Sequence, residues 1–367
     1  MLKTLVPSLS LLSLAVQGSL AWKKGSECSP SYSYINYTTV AGYFKQDDPS
    51  QSSSGFDYTT SNFGLINQTY PSDATLTQCG NSPPTQWQRF AHHVKTLNAA
   101  SPDTVAYKVL FLGRHGEGEH NQAETYYGTP AWNCYWSLLD GNGTNVWADA
   151  LLTAAGVAQT VKANTFWKSQ LAKEKMPAPE SYYSSPLSRC TVTANLSFSD
   201  LPLPASRPFV VTVKEFLREG ISMHTCDRRR SKSYIQNLFP TYKFEEGFAE
   251  NDPLWTGTTA EDEGSEFARS KVALDEIFAE DEATWISATS HSGEIRSLLK
   301  VLGHREWSLG TGQSVPVLVK AERLPRAYPT VTIEGWKGAV TCAGPPVTSV
   351  ATGCVCSTGA TALPTVI

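Results

Sequence analysis

The sequence predicts an α/β fold in which helices cover both faces of a mostly parallel central sheet. The first observation is that apolar, strand-like segments alternate with amphipathic, helix-like segments from Thr104 onwards. The second is that this alternation is typical of strands joined by helical crossovers, which form parallel sheets covered on both sides. The third is that 367 residues with 41% hydrophobic composition are enough to bury a sizeable core.

The elements follow one another in a regular order. Strands are predicted over residues 105–113, 180–186, 209–217, 284–291 and 314–322. Helices are predicted over residues 86–98, 147–173, 260–280 and 293–303, and over the segment after the second strand, which carries Arg189. Gly303 is the expected stop of the last helix, because glycine accepts the backbone geometry that ends helices.

Composition divides the chain into four parts. Residues 1–21 have the pattern of a signal peptide, with an early lysine, a short apolar run and small residues before the expected cleavage after Ala21. Residues 22–104 form an extension with too many aromatic residues for a disordered tail, so we expect it to pack on the domain. The main domain spans residues 105–325. Residues 326–367 are predicted to be a tail tethered by disulfide bonds.

The signal peptide predicts a secreted, extracellular protein. No apolar run reaches the roughly 18 residues that cross a membrane, so no membrane partner is expected. All eight cysteines follow the signal peptide, and an even number suits disulfide bonds in an oxidising compartment, although their pairing stays open. Glycosylation sequons begin at Asn36, Asn67, Asn142 and Asn195, and which of them carry glycans also stays open.

The charge argues against one class of partner. The chain has 30 basic and 34 acidic residues, and the loss of Lys3 with the signal peptide leaves 29 against 34, a net charge of −5. This mild acidity argues against nucleic acid as a partner, because phosphate backbones bind basic surfaces. Cys354 and Cys356 lack the neighbouring histidines of a metal site, so we expect disulfide bonds there and predict no metal.

Polar side chains follow four of the predicted strands where these leave the sheet. Because ligands of open α/β sheets bind beyond the carboxyl ends of parallel strands, we expect these side chains to meet. Arginine matches the oxygens of a phosphate group, and a neutral histidine can attack phosphorus. The pattern therefore predicts phosphoryl transfer. The side chains are Arg114, His115 and Asn121 after the first strand, Arg189 after the second, Glu219 after the third and His291 after the fourth.

Roles follow from the chemistry that a phosphomonoester requires. His115 is predicted to be the nucleophile, and Glu219 is predicted to protonate the departing alkoxide. Glu215 is an alternative proton donor, because a shift in where its strand ends would exchange the two carboxyl groups.

Further polar residues surround this centre. His224, Arg228 and Arg229 are a candidate site for a second anionic group of the substrate, and the alternative is a basic surface turn. Acids beside a dianion would repel it. We therefore expect the neighbours of the nucleophile to line the rim of the site, namely Glu117, Glu119 and His120.

Several short segments together resemble one protein family. "RHGEGEHN", "SSPLSR", "LREG" and "SHSG" occur in the order typical of the histidine phosphatase superfamily, and "DALLTAAGVAQ" resembles a helix entry of its phosphoglycerate-mutase-like branch. The similarity spans residues 105–322, and "YYGTPAWNCYW" and "HTCDRR" resemble fungal members. It implies a phosphoglycerate-mutase-like fold, with His115, Glu219 and His291 as the catalytic set. The phosphoryl group would be bound by Arg114, Asn121, Arg189 and His291.

We expect a secreted phosphatase that hydrolyses a small-molecule phosphomonoester through a phosphohistidine, with no metal or organic cofactor. The segment "GISMHTCDRRRSKS" differs from the tyrosine-glycine stretch of the family's cofactor-dependent mutases, and "EGE" after "RHG" differs from the phytase pattern. Two alternatives stay open, a non-catalytic secreted anion-binding protein of the same fold and a phosphomutase primed by a bisphosphate. The natural substrate and the oligomeric state also stay open.

Overall fold

The computed structural model describes residues 34–76, 83–347 and 353–357. The predicted signal peptide, residues 1–21, lies outside the described residues, as do Cys28 and Cys79. Within the described ranges, no helix is both long enough and apolar enough to cross a membrane.

A sheet of seven strands forms the centre of the protein. Its spatial order is β1-β7-β2-β6-β3-β4-β5, and β7 is the strand that runs antiparallel to both of its neighbours. The pairs from β2 to β5 are all parallel, which confirms the predicted mostly parallel sheet. The strands are β1 (Tyr34–Thr39), β2 (Val105–Arg114), β3 (Ser181–Ser184), β4 (Val211–Val213), β5 (Lys243–Phe244), β6 (Trp285–Ser290) and β7 (Ser314–Leu324).

Helices cover both faces of this sheet, as predicted. Along β2, Val109 and Phe111 join one hydrophobic cluster, whereas Leu110 and Leu112 join the other, because successive side chains point to opposite faces. The first cluster includes residues of α1, α4 and α5, and the second includes residues of α7 and α8. The helices are α1 (Gln86–Ala99), α2 (Glu119–Tyr127), α3 (Thr129–Cys134), α4 (Ala154–Ser169), α5 (Ser188–Phe198), α6 (Lys232–Leu238), α7 (Glu263–Glu280) and α8 (Ser292–Val301).

The N-terminal extension contributes to the core of the domain. Its first described segment is β1, which pairs with β7 at the edge of the sheet and was not predicted. Phe44, Phe63 and Trp87 are completely buried in the same hydrophobic cluster as Phe111 of β2. These residues of the extension therefore pack against β2 and supply part of this hydrophobic cluster.

Two predicted elements are shorter than expected. The predicted helix over residues 147–173 begins only at Ala154, because the Thr153 hydroxyl caps it by accepting from the Gly156 N–H. Asp149, with a φ of 43°, lies in the left-handed region, so the chain before Thr153 cannot continue the helix. The strand predicted over residues 209–217 is limited to β4, after which Glu215–Leu217 forms a 3-10 turn.

Two disulfide bonds hold the C-terminal tail. Cys354 is bonded to Cys134 at the end of α3, and Cys342 is bonded to Cys356 within the tail. The sequence prediction of a disulfide-tethered tail is confirmed. Among the described cysteines, Cys190 and Cys226 are free, and both are buried.

Candidate active site

Two neighbouring parallel strands place two histidines side by side. Arg114, the last residue of β2, is in register with Ser290, the last residue of β6. The next residues are His115 and His291, and the His115 N–H donates to the Ser290 carbonyl at 3.0 Å. The ring centroids of the two histidines are 5.1 Å apart. The structure thus brings together two of the predicted site residues at the carboxyl edge of the sheet.

His115 is held in the form that a nucleophile requires. It is 1% exposed, and its Nδ1 lies 2.7 Å from the Gly116 carbonyl oxygen. A carbonyl only accepts hydrogen bonds, so Nδ1 carries the proton and the lone pair is on Nε2. Burial, reinforced by the charges of Arg189 and Arg114, holds the pKa of His115 well below its usual range. The imidazole is therefore neutral and nucleophilic near neutral pH.

Gly116 is required by a close backbone approach. A Cβ at this position would lie 2.6 Å from the Gly156 carbonyl oxygen in the first turn of α4. The Gly116 N–H also donates to the Thr193 hydroxyl on α5 at 3.0 Å. Gly116, the residue after the nucleophile, therefore contacts both α4 and α5.

Arg189 is the most completely buried cation of the site, with 1% exposure. It lies in the first turn of α5, where its guanidinium group donates to the Cys226 carbonyl at 2.6 Å and to Asp227 at 3.2 Å. The helix start is fixed by Asp149, which accepts from both the N–H and the hydroxyl of Ser188. Arg189 is thus oriented by a buried acid and a backbone carbonyl, which leaves its charge directed at the two histidines.

His291 is oriented by the same arginine. Arg189 Nε donates to His291 Nδ1 at 3.2 Å, so the proton of this imidazole is on Nε2, which lies 2.8 Å from the Ser185 hydroxyl. Burial and the charge of Arg189 hold the pKa of His291 well below its usual range. His291 is therefore a neutral imidazole beside His115, with both of its ring nitrogens bonded within the protein.

Arg114 contributes a second guanidinium group. Its Nη1 donates to the Leu309 carbonyl at 2.8 Å, and its buried Nε has no hydrogen-bond partner among the described residues. Burial lowers the pKa of Arg114, while the nearby Glu219 carboxylate opposes that shift. An unpaired buried donor next to the nucleophile is suited to bind an oxyanion.

The side chain of Glu219 lies against the first turn of α8. Its carboxylate accepts from the Gly220 N–H at 3.1 Å and from the Glu294 N–H at 3.1 Å, next to the residues that follow His291. Glu215, the alternative proton donor, is instead ion-paired with Arg218 and Arg229. Of the two carboxyl groups, only Glu219 lies beside the histidines and arginines of the site.

Asn121 is half-buried in the first turn of α2. Its side-chain oxygen accepts from the Gly118 N–H at 3.0 Å, so the carbonyl is used to close the turn between the nucleophile and α2. Its amide N–H groups make no hydrogen bond with the described residues, which leaves them free to donate. The role of Asn121 in phosphoryl binding stays a prediction.

The candidate second-anion site is only partly retained. Arg229 is buried, and it donates to Glu215 and to four backbone carbonyls, so its donors are occupied and its inclusion was wrong. Arg228 is more exposed, but it pairs with Asp140 and lies over the Trp255 ring. His224 is half-buried, next to Trp132. His224 and Arg228 thus remain as the candidate pair.

Sequence reasoning misplaced one residue that shapes the site and missed two others. His120 does not line the rim as expected, because it is 9% exposed and its ring centroid lies 5.4 Å from that of His115. Asp227 and Asp149 are buried acids that hold Arg189 and its helix. The segment "DALLTAAGVAQ" contains Asp149, but the sequence showed only that the segment resembles a helix entry. It did not show that Asp149 holds the start of a different helix, α5.

A set of three side chains near the site lies close enough together to be tested as a metal site. Ligand atoms of His224, Cys226 and Asp227 lie within 4.8 Å of one another. However, Asp227 is already paired with Arg189, and burial raises the pKa of the Cys226 thiol well above its usual range. A cation there would have to displace Arg189 and ionise a buried thiol, so these residues fit a metal poorly.

The arrangement has the parts that phosphoryl transfer requires. A neutral imidazole with a free Nε2 lies near two guanidinium groups, which can neutralise a dianion and stabilise charge on its oxygens. His291 lies beside it as a second neutral imidazole, and Glu219 adds a carboxyl group that can carry a proton.

Comparison with known proteins bears on the family of the chain. The family model of the histidine phosphatase superfamily (branch 1) matches residues 137–316, which include Arg189, Glu219 and His291 and begin after Arg114 and His115. A protein of Arthroderma benhamiae described as a probable phosphoglycerate mutase is 51% identical over 288 residues, which cover 78% of this chain and 85% of the relative. Phosphomutase-like protein 3 of Candida albicans is 33% identical over 329 residues, which cover 88% and 92%.

A third relative extends the similarity. A probable phosphoglycerate mutase of Saccharomyces cerevisiae is 34% identical over 232 residues, which cover 58% of this chain and 79% of the relative. Because such levels of identity extend over most of the length of these relatives, the chain belongs to the histidine phosphatase superfamily, in its phosphoglycerate-mutase-like branch.

Proposed function

We propose that the protein is a secreted phosphomonoesterase that hydrolyses a small phosphate ester through a phosphohistidine. The observation that carries the proposal is the position of His115, whose Nδ1 is bound to the Gly116 carbonyl and whose Nε2 is left for phosphorus, with the charges of Arg189 and Arg114 acting on the same imidazole. Membership of the family makes it a phosphoryl-transfer enzyme of either phosphatase or mutase type.

The first step forms a bond between His115 Nε2 and phosphorus as the ester P–O bond breaks. The electron pair of that bond goes to the leaving oxygen, which receives a proton from Glu219. In the second step Glu219 takes a proton from water, the water oxygen bonds to phosphorus, and the N–P bond breaks. Inorganic phosphate leaves, and His115 and Glu219 return to their starting states.

The arginines that follow Glu219 already have partners within the protein, and this favours hydrolysis over the mutase reaction. A mutase primed by a bisphosphate must hold two phosphate groups, so it needs a second cluster of free cations. Here Arg229 is buried with its donors occupied, Arg228 pairs with Asp140, and Arg230 lies beside Asp149. The remaining positive charge suits a substrate with one phosphate and at most a weak second anion.

Secretion is part of the proposal. Its support is the signal-peptide pattern of residues 1–21 and the two disulfide bonds of the tail, which are typical of oxidising compartments. Two sequon asparagines, Asn67 and Asn142, are exposed, as glycan attachment requires.

The test is release of inorganic phosphate from a panel of phosphomonoesters by the purified mature protein, with and without a chelator. We expect turnover that resists the chelator and is lost in His115→Ala. If the folded wild-type protein binds phosphate but releases none from any ester, the non-catalytic binding protein is the better account.

The mutase is the second candidate, because two of the relatives are described as probable phosphoglycerate mutases. The same preparation should therefore be incubated with a phosphoglycerate and a bisphosphorylated primer. Isomerisation faster than phosphate release would favour the mutase, whereas release without isomerisation would favour the phosphatase.

A further inference from the structure

A third imidazole lies in the site and has no role in the mechanism derived above. The ring of His120 is centred 5.4 Å from that of His115, about as close as His291 at 5.1 Å. It follows the nucleophile by a single short turn and begins the buried face of α2. Its 9% exposure excludes the rim position that the sequence suggested.

One nitrogen of this ring is buried without a partner. His120 Nδ1 makes no hydrogen bond with the described residues and is closed off from solvent. The Gly118 backbone lies against it, since a Cβ at Gly118 would be only 2.7 Å away. An enclosed N–H that donates to nothing costs more than an enclosed lone pair, so we assign the proton to Nε2.

The surrounding charges keep this imidazole neutral. Burial, followed by the charge of Arg189 and also that of Arg114, holds the pKa of His120 well below its usual range. Both phosphate-binding arginines are therefore close enough to the ring to influence its charge. A neutral N–H donor in such a place adds a hydrogen bond to an oxyanion without adding further positive charge.

We propose that His120 is an additional catalytic residue, whose Nε2–H donates to a phosphoryl oxygen as the phosphoryl group passes to and from His115. This inference rests on the proposed phosphoryl transfer at His115. Because the donor is fixed by its burial, it is most useful to the trigonal-bipyramidal transition state, in which charge spreads over the equatorial oxygens.

Three variants test the proposal. His120→Phe keeps the ring volume but removes the donor, and His120→Asn keeps a short N–H donor. His93→Asn is the matched control, because His93 lies on α1, is also buried at 8% exposure, and bonds Tyr43 and Ser72 instead of site residues. Turnover of an aryl phosphate is measured together with inhibition by vanadate, which resembles the transition state, and by inorganic phosphate, which resembles the ground state.

We expect His120→Phe to lower kcat by about 10²–10³-fold, as loss of one oxyanion donor does, with a parallel loss of vanadate affinity and little change in phosphate affinity. His120→Asn should recover part of both, and His93→Asn should match the wild type. The proposal is overturned if His120→Phe stays within a few-fold of wild-type kcat, or if vanadate and phosphate affinities fall equally. If His120→Phe does not fold, His120→Ala, which also lacks the donor, is measured with the same two inhibitors and decides by the same criteria.

Failure of the proposed function gives a different result. In that case the wild-type protein itself would release no phosphate, or His115→Ala would retain wild-type turnover. A wild-type enzyme that depends on His115 but is indifferent to His120 would instead overturn only the present inference.

Discussion

At the scale of single residues, burial fixes the charge states of the site before any substrate binds. The pKa values of His115, His120 and His291 are all held well below their usual range, with burial as the largest cause and Arg189 as the next. Three neutral imidazoles can therefore lie beside two arginines without mutual repulsion. The positive charge available to a phosphate dianion comes from Arg114 and Arg189.

The assignment of Glu219 as proton donor predicts a dependence on the leaving group. Glu219→Gln should lower kcat/KM, which reports formation of the phosphohistidine, by about 10²–10⁴-fold for an alkyl phosphate, whose alkoxide needs a proton. The loss of kcat/KM should be much smaller for an aryl phosphate with a stable phenolate leaving group. The measurement is kcat/KM for both esters in each variant.

Glu215→Gln is the control for this prediction. Its carboxylate is ion-paired with Arg218 and Arg229, so its loss should lower the thermal stability and affect both esters alike. Equal losses for the two esters in Glu219→Gln would show that Glu219 is not the proton donor.

Glu266 on α7 predicts a pH-dependent stability. It is 8% exposed, its Oε1 has no hydrogen-bond partner among the described residues, and burial next to Glu219 raises its pKa to about 7. The unfolded chain ionises this group near its ordinary value of 4.5, so folding takes up a proton between that value and about 7. Its contribution is fully present below that window and is lost as the pH rises through it.

A shift of this size corresponds to roughly 3 kcal/mol of unfolding free energy. We expect the wild type to lose that amount, relative to Glu266→Gln, between about pH 4 and pH 8. The measurement is urea unfolding of both proteins across this range. An identical pH dependence in the two proteins would contradict the raised pKa.

At the scale of elements, the close crossing of the β2–α2 turn and α4 positions the nucleophile. Gly116→Ala would place a Cβ 2.6 Å from the Gly156 carbonyl, which belongs to the backbone and cannot rotate away. We expect a loss of about 1–3 kcal/mol in unfolding free energy, together with a large fall in kcat as His115 is displaced.

Gly113→Ala, three residues earlier and within β2, is the matched control. A Cβ there would lie 3.9 Å from its nearest neighbour, the Ala288 carbonyl, so the substitution should be tolerated. The prediction fails if the two alanine variants have the same unfolding free energy and the same kcat.

The sequence predicted those elements whose signals are local. β2 and β6 were predicted because their apolar runs are long. His115 and His291 directly follow these two strands and were therefore identified as site residues. β1 was missed because Tyr34–Thr39 is too polar and short to be recognised without its partner β7. The predicted helix start at residue 147 was wrong, since the apolar residues Trp147 and Ala150 are buried in a separate cluster and not on a helix.

The remaining differences between the predicted and the observed site arise because residues that interact there are distant from one another in the sequence. His120 could not be placed from the sequence, because whether it faces His115 or solvent depends on the direction of α2. Arg229 was assigned to anion binding because it follows closely on Glu219 in the sequence. Its partners in the structure are Glu215 and carbonyls after residue 248, which no local pattern reveals.

At the scale of the whole molecule, the C-terminal tail is linked to the active site through α3. Trp132 of α3, Trp147 and Cys226 share one hydrophobic cluster, and the Cys226 carbonyl accepts from Arg189. Cys134, at the end of α3, carries the disulfide bond to Cys354. The tail thus stabilises α3, and α3 packs against Cys226, the residue whose carbonyl orients Arg189.

The two disulfide bonds close loops of very different length, with sequence separations of 220 and 14 residues. In the chain-entropy account, loss of a bond costs about 2–5 kcal/mol, and more for the longer loop. We therefore expect the double variant Cys134→Ser with Cys354→Ser to be less stable than Cys342→Ser with Cys356→Ser, as measured by thermal unfolding under oxidising conditions. The reverse order, or no loss in either, would contradict this account.

The most direct test of the central claim is to trap the phosphorylated enzyme. The wild-type protein and His115→Ala are mixed with an excess of phosphomonoester, quenched in alkali, which preserves phosphohistidine, and digested for mass spectrometry. We predict the mass increase of one phosphoryl group on the peptide that contains His115, and none in the variant. A wild-type enzyme that turns over the ester without labelling this peptide, or a label on His120 or His291 instead, would contradict the assignment of His115 as the nucleophile.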